Sequence, residues 1–186
     1  MTLRNFFAAV FGIGLVAGLG TTQIQRLNLD QMVAKSDNAV FAKIIDRDVF
    51  RIDHAVDGPN LYYTTLTIKG RSLVNGRQVT TKVTYPGGFL ANGDGVWNSE
   101  APTQENTQVG KTALFFYKWS DNMGGDVNGN ALFASHGGLF RTVESPAGTM
   151  VLGRGDGYAI QNNTALRDLE TIVPQIRAAA EKAKKQ

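Results

Sequence analysis

The run Leu61–Ile68 constrains the fold more than any other segment of this chain. Tyr62, Thr64, Leu66 and Ile68 fall on one side of an extended backbone, and Tyr63, Thr65 and Thr67 on the other. β-Branched and aromatic residues alternating in this way specify a strand with two different faces. Several similar runs follow, separated by glycine. Gln78–Thr84 is joined to the first run through Val74-Asn75-Gly76-Arg77, and Asn-Gly is a strong hairpin signal. Ala39–Ile45 precedes the pair. Lys111–Trp119 is apolar enough for a central strand, and Ala131–Ala134, Leu139–Glu144 and Met150–Leu152 are shorter candidates. His54–Asn60, with Gly58-Pro59, reads as a turn or loop, as does Ser145–Gly148. Many short strands with glycine turns specify a mainly β domain.

Two helices bracket these strands. Asn28 is placed to cap a short one, with Gln31 at the capping-box position and Leu29, Met32 and Val33 on one face; Ser36-Asp37-Asn38 ends it. From residue 164 to about 184 the period becomes helical. Leu166, Leu169, Ile172, Val173, Ile176, Ala179, Ala180 and Ala183 form an apolar face. Pro174 lies inside this segment and is expected to kink or divide it.

The first twenty residues differ from the rest. Arg4 precedes Phe6–Gly20, fifteen residues without a charge. A basic start, a short apolar core and small residues at its end fit a secretory signal peptide, with cleavage near Gly18-Leu19-Gly20. As a helix the apolar run reaches only about 22 Å, short of a hydrocarbon core of about 30 Å. An uncleaved anchor is the alternative. The expected organisation is a signal at 1–20 and a single domain at 21–186, located in the periplasm or outside the cell. No stable membrane span is expected after cleavage.

Composition narrows the chemistry. The 186 residues contain no cysteine, which excludes a lipoprotein anchor, disulfide staples, thiol catalysis and zinc–thiolate sites. A net charge of +3 without a dominant basic cluster gives nucleic-acid binding no support. The chain has no Gly-x-Ser-x-Gly elbow, no His-Glu-x-x-His and no phosphate-binding glycine loop, so no cofactor is expected.

The order of several segments is similar to that of a bacterial secreted domain found alone or beside matrixin-like metalloproteases. Leu29–Ile44 resembles its short helix and first strand. Tyr63–Gly70 resembles its second strand and Lys-Gly turn, Pro86-Gly87-Gly88 its turn, and Gly110–Tyr117 its Leu-Phe-Phe strand. The similarity spans roughly Asn28 to Leu152, and Ala42 stands where the family usually has glycine. The resemblance implies an OB-like, partly open β-barrel like that of tissue metalloprotease inhibitors, with an extracellular address and no known catalytic residues. The inhibitors' own mechanism does not carry over, because it presents an N-terminal cysteine to zinc.

Candidate functional residues lie beside the long polar segment 89–108. Tyr63, Tyr85, Phe89 and Trp97 flank it, with Tyr62 close by in sequence. OB-like barrels bind ligands on an aromatic face, and tryptophan is enriched at binding hot spots. These residues are the expected binding set of a non-enzymatic module for an extracytoplasmic protein or envelope polymer. Packing of Trp97 onto the barrel is the competing expectation. An alternative function is metal-assisted hydrolysis by His54 with Asp46, Asp48 and Asp53; another is a structural envelope component. His136 reads as the start of a turn. Asp126–Asn130 matches only the first ligands of a calcium loop, since Ala131 and Gly137 occupy the glycine and glutamate positions. Arg154-Gly155-Asp156 reads as a glycine-rich turn.

Overall fold

Asn28 starts the ordered architecture by capping α1 (Leu29–Lys35). Its side chain accepts from the Gln31 amide at 2.8 Å, and the Gln31 side chain accepts from the Asn28 amide at 3.2 Å. Two otherwise orphaned amides are thereby satisfied, as the sequence predicts. The structure, a computed structural model, describes residues 26–185. The expected signal segment lies outside these residues.

The strands are β1 (Asn38–His54), β2 (Gly58–Ser72), β3 (Gln78–Pro86), β4 (Gly88–Phe89), β5 (Gly95–Val96), β6 (Thr112–Ser120), β7 (Gly129–Leu132), β8 (Leu139–Ser145), β9 (Gly148–Val151) and β10 (Thr164–Ala165). The chain then enters α2 (Leu166–Ala183). β1, β2, β3, β7 and β6 form a closed ring, because β6 also pairs with β1. This is the OB-like barrel that the resemblance implied, closed rather than partly open. Every pairing in the ring is antiparallel except β3–β7. That parallel seam consists of one residue pair, Thr84 with Ala131. The Asn130 amide reinforces it by donating to Thr81 Oγ1 at 3.0 Å and the Lys82 carbonyl at 3.2 Å.

β1 extends nine residues past the expected end at Ile45. Its first part pairs with both β6 and β2; the rest pairs with β2 alone. The register shifts between Ile44 and Asp46, leaving Ile45 as the extra residue of a bulge. A bulge bends a strand and increases its twist, which lets one strand turn the corner of a small barrel. Beyond the bulge, Asp46, Asp48 and Arg51 occupy a half-solvated strand, in which charged side chains on the exposed face are compatible with sheet. β2 likewise begins at Gly58, and the turn shrinks to residues 55–57.

Two apolar layers follow from this arrangement. Val40, Ile44, Leu66, Ile68, Val83 and Phe115 fill the barrel. Met32, Val33, Leu114, Phe116, Phe140, Leu169 and Val173 fill the space between barrel and helices. β6 serves both layers: Phe115 points into the barrel, and Leu114 and Phe116 point toward the helices. Phe116 meets Phe140 edge-on, with centroids 6.0 Å apart.

α2 remains one helix through Pro174. Only part of its expected apolar face is covered, since Ile172, Ala179 and Ala183 are exposed. Docking rests on Leu166, Leu169 and Val173, on the Arg71–Glu170 ion pair, and on Arg177 Nη2 donating to the Ser36 carbonyl at 2.7 Å.

Gly70 shows how closely the barrel is wound. A Cβ placed there would lie 2.1 Å from the Phe41 carbonyl oxygen and 2.5 Å from Ala42 Cα, both backbone atoms. Gly70→Ala is therefore expected to lower unfolding stability by about 2–3 kcal/mol, read as a shift in the urea midpoint. Gly76→Ala serves as a comparison. That site is sterically open but has a φ of +72°, so its cost comes from the turn conformation alone and should be smaller, about 1 kcal/mol.

Candidate binding face

The segment after β3 is held in place at several points. Gly87 donates its amide to the Tyr62 carbonyl at 2.7 Å, and its own carbonyl accepts from the buried Thr64 hydroxyl at 2.7 Å. β4 and β5 then form a two-residue ribbon, Gly88 opposite Val96 and Phe89 opposite Gly95. The tip closes through the Leu90 amide to the Asp94 carbonyl at 2.7 Å. On the return, Asn98 Oδ1 accepts from the Glu100 amide at 2.9 Å, and the Glu100 carbonyl accepts from the His136 amide at 2.7 Å. The polar segment that showed no period in the sequence is therefore a short ribbon followed by a 3-10 turn at Gln104–Thr107.

Trp97 follows this ribbon and is 76% exposed. It does not pack into the barrel. It lines two grooves at once. The first, of about 320 Å³, also contains Tyr62, Tyr63, Pro86 and Gly87. The second, of about 380 Å³, contains Tyr85, Phe89, Val96, Ala101, Pro102 and His136. All four aromatic residues expected to bind thus border one face, but in different ways. Phe89 is 45% exposed, whereas Tyr63 and Tyr85 are buried. Tyr85 belongs to the barrel core, and Tyr63 donates its hydroxyl toward the Met123 and Gly124 carbonyls, each at 3.0 Å. Phe50 stacks on Tyr63 at 5.7 Å. The buried pair supports the face; Trp97 and Phe89 protrude from it.

His136 is a further lining residue that the sequence did not point to. It lies in the Ser135–Gly138 turn, as expected, but its ring borders the Trp97 groove. Nδ1 is buried without a hydrogen-bond partner among the described residues. Burial pushes its pKa below the usual value of 6.5, nearby Arg154 adds to the effect, and Glu100 opposes it. A histidine followed by two glycines carries no sequence signal for this placement, because the residues that bury it come from remote segments.

A third, more polar groove of about 560 Å³ lies on β1, β2 and β3 beside the 121–130 segment. Asp46, Asp48, Thr65, Thr67 and Trp119 line it. Trp119 is 53% exposed, with its indole N–H donating to Asp121 at 2.8 Å.

The residues considered for hydrolysis are distributed among separate contacts. His54 Nδ1 accepts from the Asp57 amide at 3.0 Å, and Nε2 faces Asp126 Oδ2 at 3.2 Å. The Asp57 carboxylate also lies 3.2 Å from Nδ1, so the ring is held between two acidic side chains. Asp53 accepts from the Asn60 amide at 2.9 Å and pairs with Arg51 at 2.7 Å; those bonds, the Asn60 amide foremost, hold its carboxyl below the usual range. Asp46 and Asp48 lie in the Trp119 groove instead. Among the described residues, no three His, Cys, Asp or Glu side chains are grouped to hold a metal ion. Of the partial calcium-loop match, Asp126 is joined to His54, and Asn130 to β3.

Comparison of the chain with protein-family profiles, curated protein sequences and solved structures found no match.

Two outcomes follow from these contacts. The unfolded chain protonates His136 near its ordinary pKa, whereas the fold resists protonation until a lower pH. Stability is therefore fullest above about pH 6.5, declines as pH falls below that value, and levels off below the folded pKa. His136→Gln should remove this part of the pH dependence in urea titrations. Tyr63→Phe removes the hydroxyl that holds the 121–127 segment; the expected loss is about 1 kcal/mol, with faster hydrogen exchange at the Gly125 amide.

Proposed function

We propose that this chain is an exported, non-enzymatic binding domain of the periplasm or cell exterior. Its partner is a protein or envelope polymer, engaged by the face that Trp97 and Phe89 form. The apolar, uncharged segment at the start of the sequence supports export. The carrying observation for binding is Trp97: a large aromatic side chain, 76% exposed, beside two grooves on a segment anchored by backbone hydrogen bonds. An exposed aromatic on a preorganised support loses little conformational freedom on binding, so burial of its area goes largely into affinity. The resemblance to the secreted domain that accompanies matrixin-like proteases agrees with the extracellular address.

The Trp119 groove provides an internal comparison. Trp97→Ala should change unfolding stability by less than about 0.5 kcal/mol, because the side chain contributes little to the core. It should nevertheless abolish retention of partners when the immobilised protein is exposed to an envelope extract. Trp119→Ala should leave that retention intact. Collapse of the fold in the Trp97 variant, or loss of retention in the Trp119 variant alone, would overturn the assignment.

A further inference from the structure

Next to the Trp97 groove lies a smaller cavity of about 170 Å³ with a different lining. Arg141 and Arg154 both border it, together with Thr103, Asn106 and His136. The two openings are continuous: Ala101, Pro102, Thr103 and His136 belong to both. Arg154 is fixed in place. Its guanidinium lies 4.3 Å over the Tyr158 ring and donates through Nη1 to the His136 carbonyl. These contacts orient the group without neutralising it. Neither Arg154 nor Arg141 has a carboxylate partner within salt-bridge distance among the described residues. The acid that interacts with His136 is Glu100, which accepts from Ser135 Oγ at 3.3 Å and does not line the cavity.

Like charges on a shared cavity repel. Burial lowers the pKa of Arg154, Tyr158 opposes that shift, and the charge of Arg141 adds to it. An anion between the two guanidinium groups would relieve the repulsion and form charge-assisted hydrogen bonds. At about 170 Å³ the cavity has room for a carboxylate or phosphate group together with water. Its mouth opens on the groove that exposes Phe89, Val96 and Trp97 and that Arg47 also lines, so apolar side chains next to a carboxylate would find both apolar cover and positive charge there.

Resting on the reading of Trp97 as the binding face, we infer that the partner is a protein whose C-terminal tail is bound here. Its terminal carboxylate occupies the Arg141–Arg154 cavity, and the preceding side chains lie in the Trp97 groove. The arginine pair then selects the chain end, and Trp97 holds the apolar part of the tail. Thr103 and Asn106 supply neutral polar groups at the same cavity.

The test uses the isotope-labelled protein and two pools of N-acetylated random pentapeptides, one with free carboxylates and one amidated. Binding is followed by NMR at the Trp97 indole N–H and the Nε–H groups of Arg141 and Arg154. The free-acid pool should shift all three signals at about one-tenth the concentration that the amidated pool requires. Arg141→Gln and Arg154→Gln should each erase this preference while the Trp97 signal still responds at higher concentration. Equal response to the two pools, or no response to either, overturns the inference. Inorganic phosphate acting on the arginine signals more strongly than the free-acid pool also overturns it, assigning the cavity to a phosphorylated ligand. The Trp97 reading is judged separately, by retention from the envelope extract, so its failure is distinguishable from that of the carboxylate site.

Discussion

The structure depends on the pairing of β1 along both edges. Its first part lies between β2 and β6, so one stretch of backbone closes the ring and carries Val40, Ala42 and Ile44 into its interior. Beyond the Ile45 bulge the same strand leaves β6 and continues along β2. This change of partners converts a flat meander into a barrel. It also places the first half of β2 and the 87–100 segment on a rigid base. Closure further requires the backbone approach at Gly70, where β1 and β2 leave no room for a side chain.

Much of this frame was legible in the chain. The Asn28–Gln31 box, the Asn75-Gly76 hairpin and the alternation in Leu61–Ile68 are local signals, and local hydrogen bonding enforces them. The far half of β1 was not legible, because a half-solvated strand carrying Asp46, Asp48 and Arg51 has the composition of a loop. Pro174 was misleading for a related reason. α2 is held by Leu169, Val173 and Arg177 against the rest of the molecule, and that tertiary docking accommodates a residue that would interrupt an isolated helix.

The candidate site divides in the same way. Trp97 and Phe89 stood out because large aromatics in a polar, glycine-rich segment lack a local packing explanation. Tyr63 and Tyr85 carried the same signal but occupy the supporting layer, since strand parity and the 121–127 segment bury them. His136 and Arg154 read only as turn residues, and Arg141 carried no signal. They come from a 3-10 turn, a strand and a glycine-rich loop, and only the three-dimensional fold brings them to one cavity.

The single-pair seam between β3 and β7 has a consequence for behaviour in company. Gln78–Lys82 of β3 lie beyond the one backbone pair that joins the two strands, leaving that border nearly as accessible as the edge of an open sheet. Such borders recruit strands from neighbouring molecules and start aggregates. Here the Asn130 amide caps the Lys82 carbonyl, and the lysine side chain puts a charge beside the gap. A side chain and a charge thus stand where backbone pairing is thinnest, the same devices by which natural sheets discourage strand pairing between copies.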